Sequence, residues 1–139
     1  MSATTTPSLV LAGGCPLCLL PRPEVEVLAA RLWILGGSSR DPAGQRGAHQ
    51  LLAGLLSRGS GRHSAEALAD LVEGCGAGLR CEAHEDQLTL SLKCAPDDAP
   101  LLLPLLLEMV QEPWLDPDQL ALERQLNLQT LQRQREDPF

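Results

Sequence analysis

Residues 79–94 read LRCEAHEDQLTLSLKC and carry the clearest strand pattern in the chain. A short polar turn divides the stretch, and in both halves every second residue is apolar: Leu79, Cys81 and Ala83, then Leu88, Leu90, Leu92 and Cys94. Because successive side chains of a strand point to opposite faces, this alternation predicts two neighbouring strands with one apolar face and one wet face.

Helix signals lie on both sides of these strands. Apolar residues at helical spacing predict a helix over 48–57, and Ser64 is a plausible N-cap for a second helix that ends at Gly74-Cys75-Gly76. After the strands, Asp97 or Asp98 is expected to cap a Leu-rich helix that runs to about Gln111. Pro104 should kink that helix.

A last helix is predicted from Asp116-Pro117 to about Glu136, because Asp is a good N-cap and Pro suits the first helical position. Towards the N-terminus, residues 25–35 are a strand candidate, and apolar runs around Gly13-Gly14 predict a hairpin within 8–20. The order of strands, two helices, two strands and two helices predicts an α+β domain over 8–139. It would have an antiparallel sheet with helices packed on one face, after a disordered start at 1–7.

Composition excludes some functions. With a net charge of −7 and a sequence pI near 4.8, the chain lacks the clustered Lys and Arg that nucleic-acid binding requires. No stretch approaches the roughly 20 apolar residues of a membrane span. The N-terminal apolar run has no positive charge before Arg22 and is interrupted by Pro16, so it is a poor export signal. We therefore expect a cytoplasmic protein.

The five cysteines form an odd, irregularly spaced set, which favours buried free thiols over a disulfide framework. Cys15 and Cys18 have the spacing of a metal or redox pair. Redox pairs of this spacing lie at a helix N-terminus, whereas these flanks are strand-like. Buried structural thiols are the preferred interpretation for this pair too.

Several segments resemble, in order, the N-terminal domain of the insulinase/pitrilysin-type (M16) zinc metallopeptidases, which include the mitochondrial processing peptidases. They span 36–41 (GGSSRD), 47–53 (GAHQLLA), 56–60 (LSRGS), 64–70 (SAEALAD), 76–77 (GA), 112–114 (EPW), 122–125 (LERQ) and 136–139 (EDPF). The resemblance thus extends over roughly 25–139. It implies the family's layered fold, apparently incomplete at the C-terminus.

The family's chemistry uses His-x-x-Glu-His on a helix, in which two His bind Zn²⁺ and the Glu is the general base. The resemblance places the first His at His49, but the Glu position is Leu52 and the second His position is Ala53. The distal Glu ligand falls at Thr130, whereas a second family carboxylate is kept as Glu123. We therefore expect a degenerate site with no catalytic residues and no zinc.

Structural interpretations stand beside the remnants His49 and Glu123. His49 is predicted to be partly buried and hydrogen-bonded to a carbonyl or to Glu123, while His63 and His84 are predicted at the surface. Glu123 and Glu136 lie among arginines of the last helix, where solvated ion pairs are the default. The leucines of 101–107 are either core or a partner surface.

The preferred functional hypothesis is a non-catalytic M16 homologue, a peptide-binding or regulatory subunit that pairs with a zinc-bearing M16 partner. In this family such a chain helps to hold an extended peptide while chemistry takes place in the partner. One alternative is a truncated, inactive fragment with an exposed sheet edge. Another is a zinc endopeptidase with rearranged ligands. No nucleic acid or membrane is expected as a partner.

Overall fold

The central element is an antiparallel sheet of three strands. In the computed structural model, which describes residues 8–11 and 13–136, these strands are β3 (Leu28–Leu35), β6 (Gly78–Ala83) and β7 (Gln87–Cys94). Their order is β3-β7-β6. Both strands predicted within residues 79–94 are confirmed. The strand predicted over 25–35 begins only at Leu28, because the chain turns just before it, with the amide of Val25 donating to the carbonyl of Arg22.

One face of this sheet forms the hydrophobic core. Leu90 and Leu92 of β7 are fully buried, and the core continues into the helices through Leu68, Leu102 and Met109. Apolar side chains of β3 and β6 pack against the edge of this cluster. The α+β arrangement of helices on an antiparallel sheet is as predicted.

The opposite face carries the polar half of the alternation, but it is not uniformly wet. Thr89 is 5% exposed, which contradicts the prediction of a solvated side chain there. β7 is the middle strand, and the register places Trp33 and Glu82 on either side of Thr89. Side chains on neighbouring strands therefore shield a short residue in the centre of the face.

Four helices occupy the predicted positions: α1 (Ala48–Leu56), α2 (Ala65–Gly74), α3 (Ala99–Gln111) and α4 (Pro117–Glu136). The cap of α2 is confirmed, because the Ser64 hydroxyl accepts a hydrogen bond from the amide of Ala67 at 3.1 Å. Oδ1 of Asp116 accepts from the amides of Asp118 at 2.7 Å and Gln119 at 3.3 Å, so α4 starts as predicted.

The start of α3 differs from the prediction. A short 3-10 helix, Pro96–Asp98, leads into it, and Asp98 makes no side-chain capping hydrogen bond. The helix continues through Pro104, where the kink stays a prediction. Its leucines belong to both alternatives considered for 101–107: Leu102, Leu105 and Leu106 are buried, whereas Leu101, Leu103 and Leu107 are exposed.

The predicted N-terminal hairpin is confirmed as β1 (Ser8–Val10) and β2 (Pro16–Cys18), an antiparallel pair that forms a sheet of its own. Cys15 and Cys18 are exposed, so the prediction of buried thiols is wrong for this pair. Among the described residues, the hairpin pairs with neither of the other two sheets and contributes no residue to the core cluster. The disordered start predicted over 1–7 lies outside the described residues.

A second small hairpin joins α1 to α2. It consists of β4 (Gly59–Ser60) and β5 (His63–Ser64). In the part of the chain that the structure describes, no helix has both the length and the apolarity that a membrane crossing requires.

Candidate functional site

Asp41 fixes the start of α1 and the position of His49. Its Oδ2 accepts the amide of Gly47 at 2.6 Å, and its Oδ1 accepts the amide of His49 at 3.1 Å. The same Oδ1 lies 2.6 Å from Nδ1 of the His49 ring. Gly47 adopts a left-handed conformation with φ 95°, which favours glycine and lets the chain enter the helix at this angle.

The hydrogen bond from His49 therefore goes to Asp41, and the predicted partner, a carbonyl or Glu123, is wrong. The bond from His49 lowers the pKa of the Asp41 carboxyl below its usual value, although burial acts in the opposite direction. An ionised carboxylate can only accept, so Nδ1 of His49 carries the proton. Nε2 is the ring nitrogen that remains for another partner. The imidazole side chain is 23% exposed.

The two positions that the family fills with Glu and His are hydrocarbon on α1. Leu52 is half-buried and packs against the core cluster, and Ala53 is 2% exposed. Neither side chain has an atom that can donate a lone pair to a metal or accept a proton. Both act as packing residues of the helix.

Glu123 is buried and ties α4 to the end of α1. Its Oε1 accepts from Nε of Arg58 at 2.9 Å and from Nη2 at 2.6 Å. The predicted solvated pairing with arginines of its own helix is wrong, because α4 turns this residue towards α1. Among the 20 residues of α4, all of them described, Glu123 is the buried one.

Gly54 of α1 lies against the side chain of Glu123 where the two helices meet. A Cβ atom at that position would overlap the carboxylate of Glu123. Thr130 lies two helical turns farther along α4, about 10 Å by helical rise. It is exposed, and its hydroxyl donates to the carbonyl of Leu126 at 3.0 Å. The structure thus brings the helices of His49 and Glu123 together, while Thr130 faces solvent.

This set of side chains does not fit a zinc ion. Catalytic zinc takes at least three protein ligands, and structural zinc takes four. Here one imidazole remains, with hydrocarbon and hydroxyl groups at the positions of the general base and the other two ligands, while the kept carboxylate of Glu123 is bonded to Arg58. Within residues 8–11 and 13–136, no group of three or more His, Cys, Asp or Glu side chains is arranged to hold a metal ion.

Cys15 and Cys18 do not form an alternative site. They lie at the two ends of an extended segment, so their Cα atoms are roughly 10 Å apart at the rise of a strand. A disulfide requires a Cα separation below about 7 Å. The hairpin conformation therefore separates the two thiols.

A partly buried polar cluster joins the β4–β5 hairpin to α3. Oε1 of Glu108 lies 2.8 Å from Nδ1 of His63 and accepts from the hydroxyl of the fully buried Ser60 at 3.3 Å. The hydrogen bond from His63 lowers the pKa of Glu108. His63 is thus half-buried and partnered, contrary to the predicted surface position, whereas His84 is exposed as predicted.

Sequence reasoning missed this cluster because 45 residues separate His63 from Glu108. One signal was present: Glu108 is the single charged residue of α3, and every other residue from Ala99 to Val110 is apolar. A lone charge in such a helix indicates a specific partner.

The sequence of the chain is similar to those of known peptidases. The sequence model of the Insulinase (Peptidase family M16) family matches residues 19–138. The chain is 25% identical over 122 residues to the mitochondrial-processing peptidase subunit beta of Lentinula edodes, covering 88% of this chain and 26% of that protein.

Solved structures agree in fold. The peptidase M16 inactive domain from Pseudomonas fluorescens superposes with a TM-score of 0.86 and 26% identity, over 96% of this chain and 33% of that one. A protease from Helicobacter pylori gives 0.79 and 20% identity, over 88% and 29%. Pitrilysin gives 0.78 and 23%, over 84% and 13%.

The chain spans about a quarter of the curated relative and a third or less of these structures. The match of the family model along most of the sequence, together with the shared fold, shows that this chain belongs to the insulinase (M16) peptidase family.

Proposed function

We propose that this chain is a non-catalytic M16 homologue that binds an extended peptide and pairs with a zinc-bearing M16 partner. The observation that carries the proposal is the composition of α1. This helix keeps His49, but it has Leu52 and Ala53 at the positions of the general base and the second ligand. Such a site cannot activate water, so a role in hydrolysis requires a zinc site supplied from elsewhere.

Peptide binding is supported by the free edge of β6. This strand, Gly78–Ala83, pairs with β7 on one side, and among the described strands nothing pairs with it on the other. α1 packs beside it. Free strand edges bind extended peptides through main-chain hydrogen bonds. A peptide added here would run next to the helix on which the family carries its chemistry.

Pairing with a second chain is supported by the comparisons. One relative is by its name a subunit of a processing peptidase, and one structural neighbour is described as an inactive domain. In such a pair, the chain without a zinc site would contribute binding surface, and its partner would carry out the hydrolysis.

Peptide binding is tested with labelled peptides of about ten residues, which are long enough to pair along the roughly 20 Å of β6. Fluorescence anisotropy reports binding, and hydrogen exchange reports where it occurs. We expect slower amide exchange in Gly78–Ala83 and unchanged exchange in Leu28–Leu35, the other edge strand, which is an internal control. A peptide N-methylated at alternate residues should lose binding, because it cannot form the ladder.

The partner half is tested by mixing the chain with an intact zinc-bearing M16 chain encoded in the same genome. A complex in size-exclusion chromatography and faster peptide hydrolysis than by the partner alone would support the proposal. If the chain binds neither peptide nor partner, the inactive-fragment hypothesis takes its place. About one zinc ion per purified chain would instead favour the hypothesis of rearranged ligands.

A further inference from the structure

The sheet surface that faces away from the helices carries a cluster of positive charges. We call it the open sheet face and define it by Arg31, Trp33, Arg80, Ser91 and Lys93. The register places Arg31 and Arg80 on either side of Ser91, in one row across the three strands. Lys93 lies two residues farther along the middle strand, on the same side. All three cations are exposed.

These charges are unusual in an acidic chain. The net charge is −7, yet this face has three cations against one carboxylate, that of Glu82. Glu85 and Asp86 lie in the turn beyond Glu82, at the opposite end of the strands from Lys93. Within the part that the structure describes, the ion pairs join other residues, and none involves these three cations.

An exposed aromatic residue adjoins the cations. Trp33 lies two residues along the strand from Arg31, on the same face, and is 55% exposed. Tryptophan and arginine are the residue types most enriched where binding energy concentrates. Trp33 lies on β3, at the sheet edge opposite β6, and therefore belongs to the open sheet face without being next to the β6 edge.

The position of the cluster connects it to the β6 edge. In a peptide added to that edge, every second side chain would fall on the open sheet face, about 7 Å apart along the strand. The nearest cation to such side chains is Arg80, on β6 itself, with Lys93 one strand farther in. Carboxylates at two alternate peptide positions, in the rows of Arg80 and of Gly78 and Lys93, would thus meet unpaired positive charge, whereas the next such position lies beside Glu82.

We propose that the open sheet face selects acidic extended peptides, with carboxylate side chains at two alternate residues, one beside Arg80 and one in the row of Lys93. The inference rests on the proposed function in taking the ligand to be an extended peptide, and it adds the chemical class of that peptide. A nucleic acid fits less well, because a long polyanion would also meet the acidic remainder of the chain.

The test measures the affinity of the full chain for two labelled peptides of equal length, one with Glu at alternate positions and one with Gln instead. We expect the Glu peptide to bind about tenfold more tightly, since exposed ion pairs each contribute no more than a few-fold. Raising the salt from about 50 mM to about 500 mM should remove most of that difference.

The Arg31→Gln/Arg80→Gln/Lys93→Gln variant should bind both peptides equally. The matched control, Arg124→Gln/Arg133→Gln/Arg135→Gln, makes the same change of charge on exposed positions of α4 and should keep the preference. Circular dichroism confirms that both variants are folded.

Equal affinity of the unaltered chain for the Glu and Gln peptides would overturn the selectivity while leaving peptide binding intact. If the α4 control also loses the preference for the Glu peptide, the selectivity is overturned too, because the preference would then reflect the overall charge of the chain. Tighter binding of a single-stranded DNA of similar length would overturn the peptide assignment. If the N-methylated Glu peptide still binds more tightly than the N-methylated Gln peptide, the open sheet face selects acidic peptides but does not bind them by strand addition. This outcome separates the present inference from the proposed function.

Discussion

Arg58 donates two hydrogen bonds to a single oxygen of Glu123, from Nε at 2.9 Å and Nη2 at 2.6 Å, and so joins the end of α1 to α4. The carboxylate is buried, while the guanidinium is one-third exposed. No other residue of α4 is buried, although its entire length is described. The attachment of this helix therefore depends strongly on one ion pair.

We predict that Glu123→Gln lowers the free energy of unfolding by about 1–3 kcal/mol, because the two N–H groups of Arg58 lose their charged, buried acceptor. Urea unfolding followed by circular dichroism measures the change. The control is Glu136→Gln on the exposed end of the same helix, which should stay within about 0.5 kcal/mol of the unaltered chain. Equal effects of the two substitutions would show that the pair does not hold α4.

Gly54 gives a second test of the same contact. An alanine there improves helix propensity, but its Cβ would overlap the carboxylate of Glu123, which would have to shift and weaken its hydrogen bonds to Arg58. We predict a net destabilisation of about 1–3 kcal/mol, typical of overpacking. Gly74, the last residue of α2, has no atom within 4 Å of an added Cβ, so Gly74→Ala should be neutral or stabilise by up to about 1 kcal/mol. Stabilisation by both substitutions would contradict the packing.

Stability at acidic pH should depend on Glu108. Its folded-state pKa lies below the usual value of 4.5, mainly because His63 donates a hydrogen bond to it. A lowered carboxyl pKa stabilises the fold above the unfolded-state value, and that contribution disappears as the pH falls through the folded-state pKa.

We therefore expect Glu108→Gln to melt at a lower temperature than the unaltered chain at pH 7, with the two converging on acidification below about pH 4.5. Thermal melts at a series of pH values provide the measurement. Glu112→Gln is the matched control: it removes an exposed carboxylate one helical turn away and should follow the unaltered chain. A constant gap between the Glu108→Gln and unaltered curves at all pH values would argue against the ionised cluster.

Local signals predicted most of the fold, because they depend on neighbours in the sequence. The alternation in 79–94, the Ser64 cap and the Asp116-Pro117 start each gave an element that the structure contains. Where a signal depended on neighbours in space, prediction failed. Thr89 alternates as a wet residue, but its position in the middle strand buries it.

In the candidate site, too, the sequence predicted positions along the chain but not the contacts between distant residues. The resemblance mapped His49 and Glu123, yet it gave neither of their partners, Asp41 and Arg58. The Glu123 pair spans 65 residues of sequence, and an acid beside arginines on a helix ordinarily stays in solvent. Glu123 instead lies against Gly54 and Arg58 of a distant segment, and no local pattern encodes those contacts.

The mapping of the lost metal site can be tested by rebuilding it. We predict that Leu52→Glu/Ala53→His/Thr130→Glu, which supplies with His49 the family's set of donors, gains about one zinc ion per chain, whereas the unaltered chain retains none after dialysis. Metal content by atomic emission measures this. Adding His49→Ala to the rebuilt variant is the control and should abolish binding. Because Ala53 is almost fully buried, the rebuilt variant should also lose stability until zinc is added, and then recover it. Zinc uptake that is unaffected by His49→Ala would show that the mapped positions do not form one site.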